Sequence, residues 1–348
     1  MQAGKSSIRF EKPPLIAAAA SVVGEKEGRG PLGGLFDMVE RDPMFGMESW
    51  EEAESEAQRR ASMLALKKGG LESGDVRYLF AGDLLGQLIA TSFGIVDLGV
   101  PLFGLYGACS TMGEGMVLGA MTAAAGYADR VMALASSHFA SAERQFRFPL
   151  AYGNQRPYSS TWTVTGCGCV VIENSDAAAE RAANQSPPLA KITAVTTGKI
   201  IDLGTRDSMN MGAAMAPAAV DTILQHLRDL DVEAEHYDKI ITGDLGVIGR
   251  RILLDFMAQH EKNLTDIHMD CGIEIFDGSR QDTHAGGSGC GCSAVTLAAY
   301  ILPKLESGEW KKVLFLPTGA LLSKTSFNEG KSVPGIAHAV VLESPAVK

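Results

Sequence analysis

The chain has 348 residues, comfortable for two domains of average size, and its 46% hydrophobic and 21% charged residues are the balance of a folded globular protein, not of a disordered one. A formal net charge of -10 excludes the broad basic face that nucleic acid requires, so an anionic ligand must find its positive field in a local pocket. Asp97 and Pro101 break the longest apolar run, residues 88–105, and no segment reads as a transmembrane helix.

In chain order, the first strand is expected at residues 15–23. The same run reads alternatively as a signal-peptide core, but Glu11-Lys12-Pro13-Pro14 precedes it and its pattern recurs later as a strand. Residues 28–42, rich in Gly, Pro and charge, form a surface insertion, and a long helix follows near 51–68. A buried strand then closes on Gly82-Asp83. Asp83 either faces a ligand at a strand end or caps a helix.

The next apolar strand leads through Tyr106-Gly107-Ala108 to Cys109, and a Gly- and Ala-rich helix follows. Cys109 therefore stands at a helix N-terminus, where the dipole and free N–H groups favour the thiolate and lower its pKa. It is a nucleophile candidate; the plainer reading is a small buried residue at a tight turn. Strand 130–135 runs into Ser136-Ser137-His138, which puts His138 near the same rim. Residues 142–161 lack periodicity and form a long connection carrying Arg144, Arg147 and Arg156. These arginines either draw an anion to the rim or are solvated surface charges.

The second half repeats the plan. Pro13-Pro14-Leu15 recurs as Pro187-Pro188-Leu189, the strand ending in Gly82-Asp83 as one ending in Gly243-Asp244, the segment 126–132 as 308–314, and 169–173 as 339–343, at offsets of roughly 170 residues. The chain is thus two similar halves, 1–180 and 181–348, each alternating apolar strands with helices. Two such halves stack into a five-layer α/β/α/β/α sandwich.

Asp244 again poses the choice between ligand site and cap. The counterpart of the Cys109 turn runs from Thr283 to Ser293 and leads into a helix at 294–302. Its glycines, with Gly287 and Ser288 among the candidates, present N–H groups for an oxyanion or carboxylate, and His284 is either a proton donor or structural. Cys167-Gly168-Cys169 and Cys290-Gly291-Cys292 suggest a metal, but small residues in crowded central strands explain both, and no metal site is expected. The six cysteines are spread through the chain as free thiols.

These residues resemble the thiolase superfamily. The duplicated half, the Cys at a helix start and the Gly-rich loop are its marks, and residues 100–109 with 126–135 look like the nucleophile region of initiating ketoacyl synthases. His284 with its glycines resembles the thiolase loop that carries a catalytic His. Longer strings, Tyr106-Gly107-Ala108-Cys109-Ser110-Thr111-Met112, residues 209–219 and residues 240–249, are similar to the stage V sporulation protein AD family. That resemblance implies a protein that binds dipicolinic acid and takes part in its uptake into the developing spore. It implies a cytoplasmic protein lying peripherally on the forespore or spore inner membrane beside membrane proteins of the same operon. No resident cofactor is implied, whether calcium accompanies the ligand is left open, and the fold implies a homodimer to which strand 130–135 contributes. Two departures from the condensing enzymes stand out: Gly243-Asp244-Leu245 replaces their Pro-His-Gln motif, and their Asn has no clear counterpart near 287–291. An ionised Asp244 opposes the negative charge of a condensation, so binding is expected rather than catalysis. The alternative is an acyl-transfer or thioester-hydrolysing enzyme with Cys109 as nucleophile and His284 as acid–base.

Overall fold

The computed structural model describes residues 1–147, 155–182 and 187–346. Among these, one sheet is built from β1 (Leu15–Gly24), β2 (Tyr78–Gly82), β3 (Leu102–Gly104), β4 (Arg130–Ser137) and β5 (Gly166–Glu173), in the spatial order β3-β2-β4-β5-β1. A second takes β6 (Ala190–Thr196), β7 (Lys239–Thr242), β8 (His268–Asp270), β9 (Lys312–Leu316) and β10 (Ala339–Glu343), in the order β8-β7-β9-β10-β6. In both, the second strand pairs in parallel with its two neighbours and the remaining pairs are antiparallel. The repeated sequence pattern is therefore a repeated topology. The sheets join where Leu15 and Ile16 pair with Lys191 and Ala190.

The main helices are α1 (Trp50–Gly69), α2 (Thr111–Ala124), α3 (Phe139–Phe146), α4 (Met211–Leu230), α5 (Gly246–Gln259) and α6 (Cys290–Thr296). Ser49 caps α1 and Glu52 returns the bond to the Ser49 amide; the helix stops at Gly70, whose φ is 62°. Ala53, Ala57, Ala61 and Ala65, four apart, are buried with sheet residues Leu79, Leu134 and Val171 in an outer core. α4 and α5 contribute to a separate core on the second sheet.

Between the sheets lie α2 and α6, in a core shared by Phe80, Val131 and Ile172 from one sheet and Ile241, Phe315 and Val340 from the other. This gives the five layers. Their small residues are a packing requirement. A Cβ at Gly113 would stand 3.0 Å from the His338 carbonyl oxygen of the second half, and one at Gly115 3.3 Å from that of Phe80 in the first.

Three expectations need correction. Cys290-Gly291-Cys292 lies in the first turn of α6, not in a strand, and the helix begins at Cys290 rather than near 294. The glycines of the two runs let α6 and β5 approach closely: a Cβ at Gly168 would be 2.3 Å from Ala294, and one at Gly291 2.4 Å from the Gly166 oxygen. Strand 130–135, expected at a dimer edge, is hydrogen-bonded on both sides, by β2 and β5; the edge strand is β3. Of the irregular connection 142–161, residues 142–146 complete α3, and 148–154 lie outside the described residues.

Candidate functional site

Where the two halves meet, Cys109 lies on a short 3-10 turn, Ala108–Ser110, that runs straight into α2. Ala108 takes φ 49°, a strained value for a residue with a side chain, and its carbonyl accepts the Cys290 thiol at 2.9 Å. Cys109 lines a narrow cleft with apolar walls, Leu84, Phe146, Met211 and Leu322 among them, and with Tyr106, Glu143, Arg147, Thr163, Ser288 and Gly289 as its polar groups. The cavity volume is about 30 Å³, and about 470 Å³ with the open mouth included.

Asp244 lies beside Cys109, 1% exposed. Its Oδ2 accepts the Gly289 N–H at 3.0 Å, its Oδ1 accepts the Thr318 hydroxyl at 2.9 Å, and the Cys109 thiol also donates to it. Burial pushes its carboxyl up to about 7 against these bonds. The expected activation of Cys109 by a helix start is reversed. Burial first, then the adjacent Asp244 charge and Cys290, push its thiol well above the ordinary range, and only the Gly289 N–H acts the other way.

Asp244 is not a helix cap. That role falls to Asp270, at the end of β8, which accepts the amides of Leu245 at 2.8 Å and Gly246 at 3.0 Å and the Thr242 hydroxyl at 2.6 Å. Burial raises Asp270 to about 6. Asp83 does cap, holding the Leu85 and Thr91 amides at 2.7 and 2.8 Å.

Ser288 and Arg147 line the cleft with Cys109, and Gly287 and Ser288 form a two-residue strand beside Trp162–Thr163. His138 goes elsewhere: it is 2% exposed, with Nε2 on the Pro43 carbonyl at 2.8 Å, Nδ1 accepting the Ala140 amide, and its ring on Trp50. It caps α3. His284 is also held away from the cleft lining, between the Pro157 carbonyl at 2.9 Å and Asp282 at 3.1 Å. Arg144 pairs with Glu51 at the surface, and Arg156 packs on Trp162 while bonding Asp282. Of the expected arginines, only Arg147 reaches the cleft. Its Nη2 meets Glu143, its Nη1 donates to the Thr161 carbonyl at 3.3 Å, and its buried Nε has no partner. Among the described residues no group of three or more His, Cys, Asp or Glu is placed to hold a metal.

The family model for stage V sporulation protein AD matches residues 4–343. Over 340 residues the chain is 42% identical to stage V sporulation protein AD of Bacillus subtilis (strain 168), covering 98% of this chain and 97% of that one. The chain belongs to the stage V sporulation protein AD family. Its fold is that of thiolases and initiating ketoacyl synthases. Human mitochondrial 3-ketoacyl-CoA thiolase aligns at TM-score 0.57 and 13% identity, covering 96% of this chain and 99% of that one. FabH of Pseudomonas aeruginosa PAO1 aligns at 0.54 and 14%, covering 99% and 100%.

Sequence reading missed Glu143, Asp270 and Thr318. The internal repeat carried a signal for Thr318, which follows β9 where Ser136 follows the first-half strand core. Glu143 on α3 sits four before Arg147, the residue just past the helix, a pairing visible in sequence, but the placement of both beside the cleft is not.

Proposed function

We propose that the chain binds dipicolinate in the Cys109 cleft, without forming a bond to the thiol, and takes part in its uptake into the developing spore. The Cys109–Asp244 contact carries the non-covalent part. A nucleophilic thiol needs a base whose affinity for the proton matches its own, whereas this thiol is raised far above its carboxylate neighbour. The Gly289 N–H, suited to an oxyanion, is already bound to Asp244. The expected acid–base, His284, is held by Pro157 and Asp282.

Arg147 and the apolar walls support a flat anionic ring as ligand: the guanidinium has an unused buried N–H for a carboxylate, and the walls suit an aromatic face. Side chains at the narrow mouth must swing out to admit the ring. We also propose peripheral association through membrane proteins of the same operon; no helix among the described residues is long and apolar enough to cross a membrane. Family membership supports the sporulation role.

Calorimetric titration with dipicolinate, with and without calcium and with benzoate and acetyl-coenzyme A as comparisons, tests the reading. Saturable heat with dipicolinate alone among the three supports it. The second reading, acyl transfer or thioester hydrolysis, rests on the position of Cys109 at a cleft floor and a helix start; an acyl adduct on Cys109 in intact mass would establish it instead. We further propose a homodimer formed along β3, where Leu102 and Phe103 are exposed, as are Phe93 and Val96 in the segment before it. Phe103→Glu should convert a dimer mass in light scattering to a monomer, and a monomeric wild-type protein at micromolar concentration would sink the idea.

A further inference from the structure

The charges around the cleft do not balance for a dianion. Arg147 is the one cation lining it among the described residues, and Glu143 already faces that guanidinium. At the Cys109 end, Asp244 has both carboxylate oxygens engaged. The titratable groups facing it are Cys109 from the turn before α2, Cys290 and Cys292 from α6, and Asp270 and Cys271 from the end of β8 and the turn after it. All are acids. With one of its carboxylates on Arg147, a planar dicarboxylate directs the other toward this acidic end. There an ionised Asp244, directly behind the lining residues Cys109 and Gly289 that it bonds, adds a like charge where little water reaches.

We propose that the cleft takes its dicarboxylate together with one proton, which resides on Asp244 while the ligand is bound. The inference rests on the dipicolinate reading and specifies its charge state. The proton comes from solvent, and no bond in the ligand changes. Burial favours the neutral form: the carboxyl is almost wholly removed from water, no cation faces it among the groups named above, and with Asp270 adding its charge this offsets the three hydrogen bonds and holds the carboxyl near half-protonation at pH 7.

The sign follows from linkage. Below pH 7 the proton is present before the ligand arrives, so affinity is flat. Above pH 7 the proton must be taken up, and affinity falls about tenfold per pH unit until the pKa of the bound state is reached.

The test is titration of the whole chain with dipicolinate at pH 6 and pH 8 in two buffers of different ionisation enthalpy, which counts protons directly. About one proton taken up per ligand at pH 8 and few at pH 6 is expected. Asp244→Asn, a neutral group of the same shape, should bind dipicolinate with an affinity that does not change between pH 6 and pH 8. Wild-type binding with no proton uptake at pH 8 would overturn this inference and leave the dipicolinate reading standing, as would an Asn variant that keeps the wild-type pH slope. If that variant does not fold, the two-buffer count on the wild type decides alone. Absence of dipicolinate binding at both pH values would overturn the reading and the inference together.

Discussion

Replacing Arg147 by Met separates a cleft that recognises an anion from one that merely accommodates a ring. The substitution keeps an apolar stem of similar length and removes the one lining cation among the described residues. A hydrogen bond to a charged partner contributes about 1.5–3 kcal/mol. Loss of one such bond from Arg147 to a ligand carboxylate should therefore weaken dipicolinate binding about ten- to a hundred-fold. Arg147→Lys should fall between, because an ammonium is a point charge that cannot reproduce a planar fork. Arg147→Met also strips Glu143 of its partner, leaving it only the Thr163 hydroxyl at 3.0 Å, so the control is Glu143→Gln. That variant keeps the guanidinium, relieves it of a competing charge, and should bind dipicolinate more tightly than wild type. Calorimetry gives the affinities, and thermal unfolding with far-ultraviolet circular dichroism checks that each variant is folded. A folded Arg147→Met protein that binds within about twofold of wild type would refute the assignment, because that is less than the smallest contribution a charged bond makes.

Other consequences follow from the same geometry. Gly289 takes φ 100° and a Cβ there would approach the Ser137 hydroxyl to 2.6 Å, so Gly289→Ala should destabilise the fold by about 1–3 kcal/mol, read as a lower unfolding midpoint. Cys109 should resist iodoacetamide at pH 7.5, because burial and the Asp244 charge keep the thiol protonated; Asp244→Asn should speed the reaction, and equal rates would show that the charge has no influence. Glu54, held by Ser136 and Ser141, is pushed up to about 8 by burial and by Asp83. The native state therefore holds a proton that the unfolded chain releases, so this contribution to stability is complete below the ordinary Glu range and is lost as pH rises through about 8. Glu54→Gln should raise the unfolding midpoint at pH 8.5 relative to wild type, and a lower midpoint there would contradict the assignment.

The periodicity of strands and helices and the internal repeat made the architecture legible, since Gly82-Asp83 and Gly243-Asp244 close equivalent strands in the two sheets. The position of Cys109 at a helix start was legible too; its chemistry was not. A helix N-terminus is a local feature that sequence reveals, whereas the thiol's ionisation is set first by the loss of water and then by Asp244, more than a hundred residues away in the chain. The same separation explains the histidines. His138 and His284 are the residue type a reactive site requires, but carbonyls of Pro43 and Pro157 bind their rings, and nothing in the local pattern announces those partners. Arg144, Arg147 and Arg156 were indistinguishable as a cluster. Only the turn-by-turn path of α3 decides that Arg147 meets the cleft while Arg144 meets Glu51.

One acidic position stands out beside Cys109. A neutral imidazole beside a reactive cysteine can donate a hydrogen bond to a developing negative charge and accept a proton. At the strand end beside Cys109 this chain has Asp244 instead, and two changes follow. The carboxylate captures the Gly289 N–H, removing a donor that an oxyanion would need, and its charge raises the thiol it touches. The Gly289 N–H and the Cys109 thiol thus converge on one side chain. The cleft itself does not depend on that chemistry. Its walls come from both halves, from the turn before α2 and from α3, and they form an apolar slot with a guanidinium on its wall whatever the state of Cys109.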